Sequence, residues 1–467
     1  MGSVLLVGGE PMQTAPQVVK FGDLPPSGFI RKLTILSAAG VFLDGYDLSI
    51  ISVALVLLIP QLHPSALSVG YVGAAAVAGM FFGALVLGNL TDRVGRRKMY
   101  LLDLLFFVVF AILAALAQNI WELIAFRFLL GIGLGADYPI SSTITAEFSP
   151  ILRRGRNLVL TIGGFTMGAL VSYVVALALL NTGPDAWRFM LATGAIPAIV
   201  VIFLRRSIPE SPRWLMQTGD SQGAVRIAST MASNAGYALD KDNPGLGSAP
   251  SGGGSVHLGD LKRLFRRDLL RLTIFASVTW MLFDIGNYAT IVFTPTLLDK
   301  IKGSTLTGSV LVSGGVEIVG LIGIAVTFLL VDKVGRKPIQ VVGFGILVIA
   351  FIALGFISNP GFLLLAIFFV VVLFADQGPG ITTYLYAGEI FPTSVRASGH
   401  GVATATSRIG AFLGIVALPV FVSSVGLRPA LITFGVADLI ALALTVWLAP
   451  EPKATELRNE GVASARA

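Results

Sequence analysis

The chain has no cysteine, which excludes disulfides and thiolate metal sites. Its three histidines are scattered, too few to build an imidazole metal cluster. Charge is scarce as well: Asp, Glu, Lys and Arg make up 13% of the residues, about half the share of a soluble domain. No strand–glycine–helix unit is placed to cradle a nucleotide phosphate, and no nucleophile, base and orienting acid stand together. Metal, nucleotide and hydrolytic chemistry therefore find no support. No cofactor or metal is expected, and the chain does not read as an enzyme.

What the chain has is apolar length. It is 55% hydrophobic with a mean hydropathy of +0.83, and with roughly 20 apolar residues needed per crossing it offers about a dozen spans. It reads as an all-α integral membrane protein of the cell (plasma) membrane. The net charge of +7 does not mark a nucleic-acid binder, because the basic residues sit in short connectors between apolar runs. That is the pattern of the positive-inside rule, and it predicts that both termini are cytoplasmic. The opening MGSVLLVGGEPMQ lacks a basic n-region and is expected to be a loose tail.

Apolar runs fall near 33–60 and 69–90, from about 100 onward, and near 127–147, 158–180 and 189–204, and again near 272–297, 306–331, 339–358, 361–386, 400–424 and 429–448. Between the two sets lie RRSIPESPRWL, the Gly/Ser/Pro-rich NPGLGSAPSGGGS and the basic LKRLFRRDLLR, a composition that predicts a flexible cytoplasmic linker. The expected organisation is a tail (1–29), a six-helix bundle (30–206), a linker (207–268), a second six-helix bundle (269–450) and a second tail (451–467). The second bundle repeats the first. Asp44 and Asp284 are offset by 240 residues, as are Asp92 and Asp332 in the turns DRVGRR and DKVGRK; Glu147 to Arg154 recurs as Glu389 to Arg396. Two parallel six-span repeats place a substrate site between the halves near the bilayer midplane. One chain supplies a whole pathway, so a monomer suffices.

The stretch RFLLGIGLGADYPISSTITAE carries Asp137 deep in a span, where a charge costs about 2.5–3.5 kcal/mol and is kept only for a purpose. The glycines at 131, 133 and 135, and Gly79 with Gly83, are expected to let helices approach closely. Asp44 and Asp47, three apart around Gly45 and Tyr46, share a helix face and are expected to look into one cavity, or to lie at the mouth of a shorter helix. Asp103, one turn inside its span, pairs with the nearby basic turn or works in the pathway. Trp280, Asp284 and Tyr288 follow at intervals of four, so indole, carboxylate and phenol line one face of a helix. With Tyr138 they are candidates to grip a small ligand, while Asp44, Asp47, Asp103 and Asp137 are the candidates for proton coupling. Asp376 and Gln377, before the helix-breaking Gly378 and Pro379, extend that set. Glu317 is a site acid or a buried helix partner, and His400 is open between site and interface; Arg408 lies on the eleventh span. Asp92, Arg93, Arg96, Arg127, Glu147, Arg154, Asp332, Arg336, Glu389 and Arg396 are assigned to a cytoplasmic charge network that holds one conformation closed. Two acids in a dry cavity repel, so one of them should hold its proton near neutral pH, which is the physical basis of proton coupling.

Together GNLTDRVGRRK, RFLLGIGLGADYP, PESPRWL, DKVGRK and GEIFPTSVRASGHG resemble the major facilitator superfamily over nearly the whole chain. Within it DGYDL, GADYPISSTITAEFS, WMLFDIGNY and EIFPTSVRASGHGVATATSRIGA are most similar to the proton-coupled phosphate symporters, which are related to sugar and organic-acid porters. The resemblance implies the major facilitator fold, twelve helices in two pseudo-symmetric bundles working by alternating access. It also implies proton transfer through Asp44 and Asp137, with Asp103 where that family often has an acid, and a phosphate site lined by Tyr138, Trp280, Asp284 and Tyr288. Two departures stand out: Phe165 replaces a glutamine, and Gly380 an asparagine. Both favour a larger or less polar substrate, such as a sugar or an aromatic or other organic acid. The paired glutamines usual in sugar porters are missing from the seventh span. The expected function is proton-coupled import of a small anionic or polar metabolite, phosphate first. A transport-dead sensor on the same scaffold is the reading from another class.

Overall fold

Two glycines 240 residues apart show the repeat in the backbone. Gly95 (φ 110°) ends the second long helix and Gly335 (φ 96°) ends its counterpart, each opening the next helix through a conformation that a Cβ would strain. The computed structural model describes residues 16–25, 27–148, 154–246, 262–300, 304–357, 360–392 and 395–450. The side chains of Asp92, Arg93, Tyr138, Glu147, Arg154, Asp332 and Arg396 lie outside the described residues, so most of the expected charge network does too.

The first half consists of α1 (Gly28–Leu62), α2 (Ala66–Val94), α3 (Arg96–Leu116), α4 (Ile120–Phe148), α5 (Arg154–Leu179) and a sixth span broken at Gly194 into α6 (Ala186–Thr193) and α7 (Ala195–Arg205). Two short helices follow, α8 (Pro212–Gln217) and α9 (Ser221–Asn234). The second half comprises α10 (Arg267–Asp299), α11 (Leu306–Val334), α12 (Arg336–Gly355), α13 (Phe362–Glu389), α14 (Arg396–Ser424) and α15 (Leu427–Leu448). Among the described residues eleven helical stretches are long and apolar enough to cross a membrane, and α4, packed against α2 and α3, completes the twelve. Leu363, Ile349 and Phe356 point outward and largely exposed, as lipid-facing side chains do.

The expected glycine packing is present. A Cβ on Gly131 would meet the carbonyl of Ala76, and one on Gly79 the carbonyl of Phe128, so α2 and α4 touch backbone to backbone. Across the molecule α1 packs on α10, α2 on α14 and α5 on α11. One apolar cluster runs from Ile50, Leu55 and Val72 of the first half to Val292, Phe293 and Ile415 of the second. It joins the halves at the end remote from the α2–α3 turn. At the basic end, where that turn and α8 lie, Leu36, Met99, Ile140 and Phe148 form a cluster of their own whose described members all come from the first half and the linker.

The opening run expected to be a loose tail lies outside the described residues. Beyond it, Val18–Val19 (β1) pairs in parallel with Ala238–Leu239 (β2), and Phe21 and Leu24 are buried with Ala228, Met231 and Leu246. Residues 16–25 are thus tied to the linker, because the amphipathic α9 offers an apolar face that needs cover. The linker is anchored in turn: the Glu210 carboxylate accepts from the backbone N–H of Arg96 (3.0 Å) and of Arg97 (3.2 Å), satisfying orphan donors at the start of α3. Residues 247–261, which hold most of the Gly/Ser-rich run, lie outside the described residues.

Candidate functional site

The polar interior of the first half is organised by a residue the sequence reading passed over. Arg205 closes α7 with its side chain fully enclosed. Its Nη1 donates to Asp137 Oδ1 (2.5 Å) and to the Tyr100 carbonyl (3.2 Å) and lies 3.9 Å from Asp103 Oδ2. Nη2 donates to the Leu36 carbonyl (3.1 Å), and the guanidinium lies 3.5 Å over the Tyr100 ring. The Ser141 hydroxyl donates to Asp137 Oδ2 at 3.1 Å. The α1 helix closes on this group at Gly40, where a Cβ would collide with the Asp137 carboxylate. One guanidinium thus serves two carboxylates, so the valences leave room for one proton. The signal for Arg205 was an arginine at the end of an apolar run, next to a linker that drew attention away from it.

Asp44 and Asp47 part company. The Asp47 carboxylate takes both arms of Arg127, Oδ1 at 3.2 Å and Oδ2 at 3.0 Å, while Arg127 Nε donates to the Val72 carbonyl at 3.1 Å. Asp44 is buried at mid-helix with Oδ1 free of hydrogen-bond partners among the described residues. Its electrostatic neighbours are Asp137, Arg408, Asp47 and Arg205. This corrects two expectations. Asp47 does not look into a cavity beside Asp44, because Arg127 of α4 takes its carboxylate in a buried ion pair. Arg127 is not part of the charge network at the basic end: α4 enters from the opposite end at Ile120, so Arg127 lies about two turns inside that end, where it meets α1. Removing one partner of a buried pair strands the other, at about 3–5 kcal/mol. Asp47→Leu alone is therefore expected to lower the thermal unfolding temperature sharply, and Asp47→Leu with Arg127→Met to recover most of the loss.

The second half builds the cavity. Between the halves lies a space of about 110 Å³, lined by Phe165 and Thr166 of α5, Trp280, Asp284 and Tyr288 of α10, Glu317 of α11, Asp376, Gln377 and Gly380 of α13, and Arg408 of α14. A ligand of a few heavy atoms fits it. The structure thus brings together five of the six expected ligand residues; the sixth, Tyr138, lies outside the described side chains. Asp44, Asp47, Asp103 and Asp137 are not in its wall. Arg408 Nη1 donates to the Tyr288 hydroxyl, and its guanidinium is 5.3 Å from the Tyr288 ring. Asp284 is 1% exposed, with Oδ2 lacking a hydrogen-bond partner. Gln377 Nε2 donates to Asp376 Oδ1 at 2.6 Å. Trp280 meets Tyr384 and His400 edge-on at 6.1 and 6.2 Å, so His400 backs the indole rather than lining the cavity. Phe165 and Gly380, the two departures, both face the cavity.

At the basic end Arg336 and Glu389, both assigned to the charge network, pair with each other, Nε to Oε2 at 3.2 Å and Nη2 to Oε1 at 3.3 Å. Arg96 is buried beside the linker helix, with its backbone capped by Glu210.

Two six-helix repeats around a small polar cavity are the build of a secondary transporter rather than an enzyme. A model of the family described as sugar (and other) transporter matches residues 33–460. The chain is 31% identical to the inner membrane metabolite transport protein YgcS of Escherichia coli, over 96% of this chain and 97% of that one. It is 30% identical to the repressible high-affinity phosphate permease of Neurospora crassa, over 84% and 78%. Among solved structures the xylose transporter XylE of E. coli, in a partially occluded inward open conformation, superposes with a TM-score of 0.74 at 21% identity, covering 91% of this chain and 100% of that one. The protein belongs to the sugar (and other) transporter family of the major facilitator superfamily, and it is a multi-pass membrane transporter.

Proposed function

We propose that the protein is a proton-coupled symporter that imports a small metabolite bearing an anionic group, inorganic phosphate being the first candidate, through the plasma membrane with its basic end toward the cytoplasm. The observation that carries this reading is the position of Arg408. Among the described residues it is the one guanidinium in the wall of the inter-half cavity, which it shares with Asp284, whose Oδ2 has no hydrogen-bond partner, and it interacts with Asp44 across the interface. An anion entering the cavity competes with those carboxylates for Arg408, so it binds best when one of them takes a proton. Asp44 also feels the Arg205–Asp137 pair, which links cavity charge to the interior of the first half.

A second reading, a sugar or an aromatic or organic acid, is favoured by Phe165 and Gly380 in the cavity wall. Thermal unfolding of the purified protein with phosphate, pentoses and hexoses, and aromatic acids, at acidic and neutral pH, separates the two. Stabilisation by phosphate that is larger at acidic pH supports the first; stabilisation by a neutral sugar alone supports the second.

A further inference from the structure

Three carboxylic acids in the second half are used by nothing described so far except the cavity wall. Glu317 of α11 and Asp376 of α13 line the cavity. Asp438 of α15 stands behind Asp376, outside the cavity, close enough for the two carboxyls to interact. Asp438 is 2% exposed, and its Oδ1 has no hydrogen-bond partner. Among the described residues no Arg, Lys or His lies within 4 Å of any of the three acids or hydrogen-bonds to them. Asp376 accepts only from the Gln377 amide, and Glu317 has Tyr173 of α5 as its titratable neighbour across the interface. Gln340, on the adjoining α12 and nearer the basic end, is fully buried with both amide atoms unpartnered. Buried polar atoms left without partners are rare and call for a role. Three carboxylates with no cation in contact cannot all be ionised in such a place, while three plain packing acids would be more stable as apolar residues.

We propose that Glu317, Asp376 and Asp438 form a second proton-binding site, in the C-terminal half, that fills and empties through the substrate cavity and works beside the Asp137–Arg205 group. A hydrated proton in the cavity binds a carboxylate of Glu317 or Asp376, passes to Asp438 by exchange between neighbouring carboxyls, and leaves by the reverse route or past Gln340 toward the basic end. No bond other than O–H changes. The inference rests on the proton-coupled reading, and its test is chosen to stand apart from transport.

Infrared difference spectra of the full-length protein in lipid, between acidic and neutral pH, report carboxyl protonation directly. The wild type is expected to show titrating carboxyl bands that Asp137→Asn does not remove. Asp438→Asn and Glu317→Gln should each delete one of those bands, and either variant alone carries the test if the other does not fold. Bands that are identical in both variants and the wild type, or carboxyl bands that stay constant with pH, overturn the proposal. Wild-type uptake that ignores a proton gradient while these bands titrate refutes the coupling and leaves the site standing.

Discussion

Asp137→Asn abolishes proton-driven accumulation of substrate and spares counterflow. The substitution keeps the size of the side chain and removes the charge that Arg205 holds at 2.5 Å. Arg205 then turns to Asp103, now 3.9 Å away, which becomes its sole carboxylate partner. The site loses the surplus acid that could exchange a proton, so cycling no longer carries one, while the cavity residues that bind substrate are untouched. The thermal penalty is expected to be well under the roughly 3–5 kcal/mol of a stranded buried charge, because Asp103 remains. Asp103→Asn with Asp137→Asn removes both partners and should incur that penalty in full. Loss of counterflow together with accumulation in the single variant would make Asp137 a structural residue only.

Arg408→Gln is expected to weaken binding of an anionic substrate by about 2–5 kcal/mol, at least roughly thirtyfold in Kd. The side chain is a cation in the cavity wall, and truncating it also removes the guanidinium whose charge both Asp284 and Asp44 feel. Arg408→Lys keeps the charge without the planar fork and should recover part of the affinity. The same pair of variants discriminates between substrate classes. A neutral sugar would lose little affinity with glutamine at this position, whereas phosphate or an organic acid would lose most of it.

The parts of the molecule legible in the sequence are those governed by local rules. Span length, glycine spacing at 79, 83, 131 and 135, and the interval of four linking Trp280, Asp284 and Tyr288 each follow from helix geometry, and all of them appear in the fold. The 240-residue offset shows equally well in Gly95 and Gly335. What was not legible depends on which helices meet. Arg205 finds Asp137 and Asp103 on two other helices, and nothing in RRSIPESPR says so. Asp47 chooses Arg127 because the turn below Asp44 faces α4, a rotation set by packing. The pairing of Val18 with Ala238 crosses an entire bundle in sequence and carries no pattern of its own in two-residue strands.

The central claim is that charge at Asp44, Asp137 and Arg408 ties substrate occupancy of one inter-half cavity to a proton. Uptake of labelled phosphate into proteoliposomes under an imposed pH gradient, alkaline inside, tests it most directly. The account predicts accumulation above the external concentration that collapses with a protonophore and is absent in Asp137→Asn. Saturable uptake that only equilibrates, unchanged by the gradient or by the protonophore, would contradict it.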